Sequence, residues 1–479
     1  MRNQFRRSLA AALALALCFV AVESARGAGV VALADSKDSF SVPVTYYKLP
    51  NGLRVVLSPD ATAPTVAVAV YYKIGFRVEP KDRTGFAHLF EHMMFQGSQN
   101  LGKMEFIKLV QQNGGVLNGS TRFDFTNYFE IMPSHKLETA LWAEADRMRG
   151  LNITQENLTN QQGVVSNEVK VNVINTPYGG FPWLDMPQYA NTNWYNAHNF
   201  YGELKDLEAA TLKDVQDFFN TYYAPNNAVL AVVGDFDTAQ ARKMIDKYFA
   251  AIPAVKQPAQ PDLTEPRQEK EKRHSKKDAL ARRPALAFAY HMPERNTPEY
   301  YAMGLLDQIL LQGEDSLLHQ ELVKKRGLTA SVPGGINLLG NMFNYNGPML
   351  WMGYLFYDNN KTADEILAGV DTVVAGVQSK PLDQKALDRA IVKLRSDFYD
   401  TLSTLGGFGR ADLLASFALF DDNPARINML EAEFRKVTPE LLQRTAREYL
   451  RPTNRTVLVV EPGGAQPATP TAARPSGGR

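Results

Sequence analysis

Two histidines and a glutamate stand at helical spacing in the segment TGFAHLFEHMMFQGS. The apolar residues of this segment recur with the period of a helix, so we expect a helix here. Residues four apart lie on one face of a helix, so His88 and His92 can direct two imidazole nitrogens at one ion. Glu91, three residues after His88, lies beside them. Two neutral imidazoles and a nearby carboxylate are the groups that a catalytic zinc ion requires, with one coordination position left for water and a base within reach of it.

The order of these residues matches H-x-x-E-H, the inverted form of the H-E-x-x-H signature of zinc proteases. A match of five residues can also arise on a helix that merely carries two histidines and a glutamate. The motif alone therefore predicts a metal site and leaves this alternative open.

The composition is that of a globular protein with more than one domain. The chain has 479 residues, of which 45% are apolar, and this length exceeds what one ordinary core occupies. Its 52 basic and 51 acidic residues nearly cancel. We therefore expect no electrostatic binding of nucleic acid.

Residues 1–28 have the features of a secretory signal peptide. Three arginines precede the apolar run LAAALALALCFVAV, and small residues follow it, so we expect cleavage near Gly27 or Ala28. The run is shorter than the roughly 20 residues that span a bilayer, so we expect no membrane span in the mature chain. Cys18, the only cysteine, lies inside this run. These features predict a cysteine-free periplasmic or secreted protein.

The motif helix lies in a region, residues 40–254, where predicted strands and helices alternate. The segment VTYYKLPNGLRVVLSPD predicts a hairpin, and TVAVAVYYKIGFRVEP predicts a strand directly before the motif helix. A long helix predicted from Thr154 carries Glu168, 76 positions after His92. This order predicts an α+β domain in which helices pack on one face of a mostly antiparallel sheet.

A second domain of the same kind is expected at residues 285–462, after a solvated linker at 255–284 that is rich in proline and charge. The segment LLDQILLQG, which starts at Leu305, aligns with LFEHMMFQG of the motif helix. In this register Gly304 stands at the position of His88 and Gln308 at that of His92, so the second copy lacks both histidines. A short alignment between two apolar helices can also be coincidence. Residues 463–479 are expected to be a disordered tail.

The motif, the distant glutamate in VVSNEV and the two-copy architecture together resemble the pitrilysin/insulinase family of zinc peptidases. This family includes the mitochondrial processing peptidases and short bacterial members with a single pair of domains, which this chain resembles most. The resemblance implies that His88, His92 and Glu168 hold one Zn²⁺ per chain. It also implies that Glu91 takes a proton from the attacking water and delivers it to the leaving amine.

The segment NGST resembles the N-A-x-T edge strand of the family, with Gly119 in place of the alanine. The resemblance implies that Asn118, Gly119, Ser120 and Thr121 hold a peptide substrate as an added β-strand. This mode of binding reads the backbone, so we expect broad peptide specificity. An ordinary edge strand is the alternative.

Two positions depart from the family pattern. Gln161 stands seven residues before Glu168, where the family often has a second glutamate, and its amide is expected to act as an outer-shell hydrogen-bonding group. In the second domain, LVKKRGLTASV places Val323 and Ala330 where the family carries an arginine and a tyrosine that hold the substrate. Neither of these two side chains can donate a hydrogen bond.

The missing arginine and tyrosine lead to the hypothesis that a homologous sister subunit supplies them in a heterodimer, or a second copy in a homodimer. The alternative is a self-sufficient peptidase that holds its substrate through Lys324 or Arg326. A further alternative is a non-catalytic structural or binding subunit of a peptidase complex. The intact motif together with Glu168 argues against this last reading.

Overall fold

The computed structural model describes residues 41–463, which contain two mixed β-sheets flanked by helices. The predicted signal peptide and, apart from Gly463, the predicted tail lie outside the described residues. In the described part of the chain, no helix has the length and apolar character needed to cross a membrane. The predicted α+β class is confirmed.

The first sheet has six strands in the order β1-β2-β6-β3-β5-β4. The pair β2 and β6 is parallel and the other neighbours are antiparallel. Its strands are β1 Thr45–Lys48, β2 Arg54–Pro59, β3 Thr65–Tyr72, β4 Val116–Thr121, β5 Thr126–Pro133 and β6 Ala228–Gly234. The helices of this half are α1 Phe86–Met93, α2 Glu105–Gln112, α3 Leu137–Arg149, α4 Gln155–Val169, α5 Asp185–Ala190, α6 Trp194–Ala197, α7 Leu204–Ala209, α8 Leu212–Tyr222 and α9 Thr238–Phe249.

The second sheet has five strands in the order β7-β11-β8-β10-β9, again with one parallel pair, β7 and β11. Its strands are β7 Lys272–Asp278, β8 Ala285–His291, β9 Gly334–Ile336, β10 Leu350–Phe356 and β11 Arg455–Pro462. The helices of this half are α10 Pro298–Leu310, α11 Ala363–Ser379, α12 Gln384–Ser403, α13 Phe408–Asp421, α14 Leu430–Arg435 and α15 Pro439–Tyr449.

The two halves repeat one topology. The order β2-β6-β3-β5-β4 of the first sheet matches the order β7-β11-β8-β10-β9 of the second, and the parallel pair falls at the same place in each. Helix α1 follows β3 as α10 follows β8. The alignment of the two apolar helices in the sequence is therefore not a coincidence, and α10 is the structural counterpart of the motif helix.

Helices cover both faces of the first sheet, and the prediction that they cover one face was wrong. On β3, Val68 and Val70 pack in the core that contains α1. Ala69 and Tyr71, on the opposite face, pack with residues of α13, such as Leu414. The apolar run TVAVAVYY is typical of a strand buried on both faces, but the covering helix comes from the far end of the chain.

The segment predicted as a linker, residues 255–284, contains strand β7. Every second residue of this strand is exposed, and among the strands of the described residues it pairs with β11 alone, at the edge of the second sheet. Basic side chains are common on edge strands, where they discourage further pairing. The charge that indicated a solvated linker is here a property of an edge strand, which corresponds to β2 of the first half.

Candidate active site

Helix α1 is fixed at its N-terminus by the buried carboxylate of Glu79. This carboxylate accepts hydrogen bonds from the backbone N–H groups of Gly85, at 2.9 Å, and Ala87, at 2.5 Å. Both donors lie at the start of the helix, where they have no partner within the helix. Gly85 has a φ of +81°, and a Cβ there would lie 2.5 Å from the carbonyl oxygen of Tyr201. The local backbone therefore requires glycine at the point where the motif helix begins.

Helix α4 brings Glu168 to the motif histidines. It begins at the predicted position, where the Thr154 side chain accepts from the backbone N–H of Asn157. Leu158 and Val165 on α4 pack in the same core as α1, and the Asn157 amide donates to the carbonyl of Gln96. Glu168 lies on the last turn of this helix, so packing of the two helices sets its position.

The Nε2 atoms of both histidines face the carboxylate of Glu168. The distance from His88 Nε2 to Glu168 Oε1 is 3.6 Å, and that from His92 Nε2 to Glu168 Oε2 is 3.3 Å. One donor atom of each residue lies within 4.8 Å of the other two. Within the described residues, His88, His92 and Glu168 form the one group of three histidine, cysteine or acidic side chains whose donor atoms lie this close together.

This donor set fits a zinc ion. Ligand atoms that each lie about 2.0–2.1 Å from a tetrahedral Zn²⁺ ion are about 3.4 Å apart, close to the two separations found here. Both separations exceed the roughly 2.7–2.9 Å of a charged N–H···O hydrogen bond. Two imidazole nitrogens and a carboxylate also form a ligand set typical of catalytic zinc, which keeps a fourth position open.

The electrostatics of His88 and Glu168 favour metal binding at neutral pH. Burial, followed by the charge of His92, lowers the pKa of His88 to about 4, so its imidazole is neutral near pH 7. The adjacent His92 imidazole holds the pKa of the Glu168 carboxyl below its ordinary value. A neutral imidazole and an ionised carboxylate are the forms that bind metal ions.

Glu91 lies next to the histidines and is held by strand β4. Thr121 donates from Oγ1 to Glu91 Oε2 at 2.8 Å. Burial raises the pKa of Glu91, and the hydrogen bond from Thr121 acts in the opposite direction. A carboxyl group with a raised pKa is suited to proton transfer near neutral pH.

The predicted substrate strand, β4, forms an edge of the first sheet as residues 41–463 build it. Within this range β4 pairs with β5 alone, and it lies against α1. Asn118 is exposed, and the Ser120 hydroxyl donates to Asn127 Oδ1. Gly119 is buried against Tyr128, and a Cβ there would lie 3.2 Å from that ring. Thr121 is only 2% exposed, and its hydroxyl bonds Glu91.

Gln161 lies on α4 as predicted but does not bond the histidines. It is 4% exposed, and among residues 41–463 its side-chain hydrogen bond goes to Asn160 Oδ1, at 2.8 Å. The Nδ1 atom of His88 is buried and has no hydrogen-bond partner in the same range. The expected outer-shell bond is thus absent from the described part of the chain.

The segment that departs from the family pattern in the second half carries basic side chains that are already paired. Arg326 binds Glu321 at 2.6 Å and the Thr372 hydroxyl at 3.1 Å. Lys324 lies 3.9 Å from the carboxylate of Glu314. Val323 is half-buried in the second core and Ala330 is exposed.

Two contributors to the site were not predicted from the sequence. The Tyr201 hydroxyl donates to Glu168 Oε1 at 3.3 Å, and its ring packs edge-on against His88 with centroids 5.0 Å apart. Glu79, described above, is the other. Neither residue belongs to a recognisable motif. The contact between Tyr201 and Glu168 exists only in the folded chain, so nothing in the sequence indicated it.

Comparison with known proteins gives two family models that match successive parts of the chain. Residues 54–179 match the model described as Insulinase (Peptidase family M16). Residues 209–394 match the model described as Peptidase M16 inactive domain.

Individual proteins resemble the chain over most of its length. The zinc protease PqqE of Helicobacter pylori is 26% identical over 429 residues, which are 86% of this chain and 92% of that protein. A solved protease structure from Helicobacter pylori has a TM-score of 0.81 and 26% identity, and covers 88% of this chain and 100% of its own. A chain of Complex III2 from Candida albicans, solved with Inz-5 bound, has a TM-score of 0.71 at 14% identity and covers 87% of this chain and 96% of its own.

Proposed function

The chain belongs to the M16 (insulinase) family of peptidases, and from this premise we propose that it is a zinc-dependent metalloendopeptidase that hydrolyses peptides or unfolded polypeptide segments. The observation that carries the proposal is the convergence of His88, His92 and Glu168 beside the half-buried carboxylate of Glu91.

Each residue of the site has a role in this reaction. His88, His92 and Glu168 would hold the ion, and Tyr201 fixes the Glu168 carboxylate through its hydroxyl. When bound, Zn²⁺ supplies Lewis-acid chemistry that polarises a peptide carbonyl and makes water more acidic. Glu91 accepts a proton from the attacking water as the water oxygen bonds to the carbonyl carbon. The same proton then passes to the amide nitrogen as the C–N bond breaks, so that an acid and an amine leave.

Strand β4 offers the surface for the substrate. Its outer edge has no partner strand within the described residues, and it lies against α1. A peptide that pairs with β4 would run beside Glu91, because Thr121 at the end of this strand bonds that residue. Pairing through the backbone accounts for the expected breadth of specificity.

The test is hydrolysis of a quenched fluorescent peptide library by the zinc-loaded chain and by its Glu91→Gln variant. We expect the variant to bind zinc at the wild-type ratio and to lose at least about 1,000-fold in activity, because the amide cannot accept the proton. Hydrolysis by wild-type protein that persists in the variant would contradict the role of Glu91. A chain that binds no zinc would favour the non-catalytic subunit.

We further propose that the active form includes a homologous sister subunit, or a second copy of this chain. Val323 and Ala330 cannot hold a substrate through hydrogen bonds, and Lys324 and Arg326 are paired within their own half. The related chain in Complex III2 belongs to a larger assembly. Full activity of the isolated monomer at nanomolar concentration would contradict this proposal.

We also propose a periplasmic or secreted location, which the apolar N-terminal run supports and which fractionation with a tagged chain would test.

A further inference from the structure

Arg122, directly after strand β4, has a side chain without a partner in the described part of the chain. It is half-buried, yet its guanidinium makes no hydrogen bond, ion pair or ring contact with any residue of 41–463. Every other buried or half-buried arginine in this range has a hydrogen bond or an ion pair. A guanidinium carries five N–H donors, and groups of this kind that are withdrawn from water are normally bonded. The exception indicates a missing acceptor.

Arg122 continues a row of side chains along one face of β4. Successive side chains of a strand point to opposite faces, so Asn118, Ser120 and Arg122 project to the same side. The backbone N–H of Arg122 donates to the carbonyl of Phe125 at 2.8 Å, so the pairing of β4 with β5 extends to this residue. Asn118 is exposed and Ser120 is half-buried. The row is therefore accessible along the edge where β4 has no second partner strand within the described residues.

The acidic groups around Arg122 are occupied by other donors. Asp412 of α13 accepts from the Tyr71 hydroxyl at 2.8 Å and from two asparagine amides of the second half. Burial raises the pKa of Asp412, and the hydrogen bond from Tyr71 and then the positive charge of Arg122 act in the opposite direction. Asp124, two residues after Arg122, forms an ion pair with Arg77 at 3.4 Å. Neither carboxylate lies within ion-pair distance of Arg122, whose N–H groups stay available to a ligand.

A peptide that pairs with β4 presents every second side chain to this row. Side chains opposite each other on adjacent antiparallel strands have Cβ atoms about 4.5–5.5 Å apart, and opposite charges at such positions attract. A guanidinium binds a carboxylate through two parallel N–H···O bonds. Thr121, the residue before Arg122, bonds Glu91. The peptide position beside Arg122 therefore falls close to the bond that is cleaved.

We propose that Arg122 binds a carboxylate of the substrate close to the cleaved bond and so selects acidic peptides. This inference rests on the proposed peptidase function, and it adds one selective position to a strand that otherwise reads the peptide backbone. The carboxylate belongs to an aspartate or glutamate side chain within the bound segment, or to the carboxyl terminus of the peptide. Both sources offer the guanidinium the same pair of oxygens.

The test compares acetylated and amidated peptides in which a single aspartate moves one position at a time along a host of alanine, glutamine and leucine. Asparagine at the same positions gives the matched neutral set, and mass spectrometry identifies the cleaved bond. We expect one position, at a fixed separation from that bond, where aspartate raises kcat/KM about ten-fold over asparagine. Equal kcat/KM for the two sets at every position would overturn the proposal.

A variant assigns the preference to Arg122. Arg122→Gln removes the charge and keeps a polar side chain, so the ratio of kcat/KM between the aspartate and asparagine peptides should fall about ten-fold. Arg444→Gln, at an exposed position of α15, is the matched control and should keep the wild-type ratio. Both peptides are measured on one preparation, so partial unfolding of a variant does not change the ratio. A wild-type ratio in Arg122→Gln would overturn the proposal.

Binding to the zinc-loaded Glu91→Gln chain separates this inference from the proposed function. Fluorescence anisotropy gives its affinity for labelled aspartate and asparagine peptides, with and without Arg122→Gln. Tighter binding of the aspartate peptide that is lost in Arg122→Gln supports the inference even where the wild type hydrolyses neither peptide, and the peptidase function alone then fails. Hydrolysis of both peptides without preference keeps the function and overturns the inference. Failure of both peptides to bind would overturn it as well.

Peptides with a free carboxyl terminus identify the source of the carboxylate. The asparagine peptide is shortened one residue at a time from its C-terminus and ends in a carboxylate in place of the amide. A gain in kcat/KM at one length, lost in Arg122→Gln, supports the contact with a chain terminus as its natural ligand. A gain with the internal aspartate alone supports it with an acidic side chain.

Discussion

Thr121 donates a hydrogen bond from Oγ1 to Glu91 Oε2 over 2.8 Å and so joins the edge strand β4 to the general base of the proposed reaction. The same hydroxyl lies 3.3 Å from the carbonyl oxygen of Ala87 on α1. Because Thr121 is buried, this bond is shielded from water and fixes the carboxylate in one orientation. The strand expected to bind substrate therefore also positions the base.

Replacement of Thr121 by valine, which has the same shape, should lower kcat about 10- to 100-fold with little change in KM or zinc content. A hydrogen bond to a charged group contributes about 1.5–3 kcal/mol, and here that energy orients the base. Thr221→Val on α8 is the matched control, because the Thr221 hydroxyl donates to the carbonyl of Asp217 and lies outside the site. A change confined to KM would instead assign Thr121 to substrate binding.

Removal of the Glu79 carboxylate should destabilise the whole first half. Glu79→Ala leaves the buried N–H groups of Gly85 and Ala87 without an acceptor, and each costs about 1–3 kcal/mol. We expect the free energy of unfolding in urea to fall by about 2–4 kcal/mol. Glu203→Ala, an exposed position, should change it by less than about 0.5 kcal/mol. A similar small loss for both variants would show that α1 does not depend on Glu79.

The sequence predicted correctly those residues whose positions depend on the geometry of a single helix. The i, i+4 spacing of His88 and His92 placed both on one helical face, and the structure directs both Nε2 atoms to one point. Glu168 was reached through the family resemblance, since its distance along the chain carries no geometric information. The predicted repeat followed from a short alignment and is borne out by the matching strand orders.

Features set by distant parts of the chain were missed. The bond from Tyr201 to Glu168 and the packing of α13 on the first sheet join residues far apart in sequence. Strand β7 was missed for a different reason. Every second side chain of this strand is exposed, so the strand is rich in charged and polar residues. Its composition is therefore the same as that of a solvated linker.

Removal of zinc should lower the melting temperature of the wild-type chain. A ligand at 1,000 times its Kd stabilises the folded state by about 4 kcal/mol, and a chelator removes this contribution. Glu168→Gln replaces an ionised ligand by an amide, so we expect zinc affinity to fall by more than about 100-fold and the effect of the chelator to fall from about 4 kcal/mol to about 1.4 kcal/mol or less. Glu156→Gln, in the first turn of α4, should behave as the wild type. An equal chelator effect on both variants would place the ion elsewhere.

Neither Lys324 nor Arg326 should be needed for catalysis. Arg326 is held by Glu321 and Thr372, so it could bind a substrate only by giving up these contacts, and Lys324 is an exposed side chain 3.9 Å from the exposed carboxylate of Glu314. We expect Lys324→Ala and Arg326→Ala to keep kcat/KM within about two-fold of the wild type, a difference of about 0.4 kcal/mol. A ten-fold loss in either variant would identify the self-sufficient peptidase and remove the need for a sister subunit.

Asp307 should make the stability of the chain depend on pH. Burial, which outweighs the hydrogen bonds from Trp351 and Gln312, raises the pKa of Asp307 from 3.8 to about 6. The folded chain thus holds this proton more tightly than the unfolded chain, so the stabilisation is present below pH 3.8 and is lost as the pH rises through 6. The Asp307→Asn variant has no proton to lose at this position. Relative to that variant, the wild type should lose about 2 kcal/mol of unfolding free energy between pH 4 and pH 7 in urea titrations.

Asp388→Asn, at an exposed position of α12, should follow the wild type over the same range. Parallel pH profiles for the wild type and Asp307→Asn would show that Asp307 stays ionised in the folded chain.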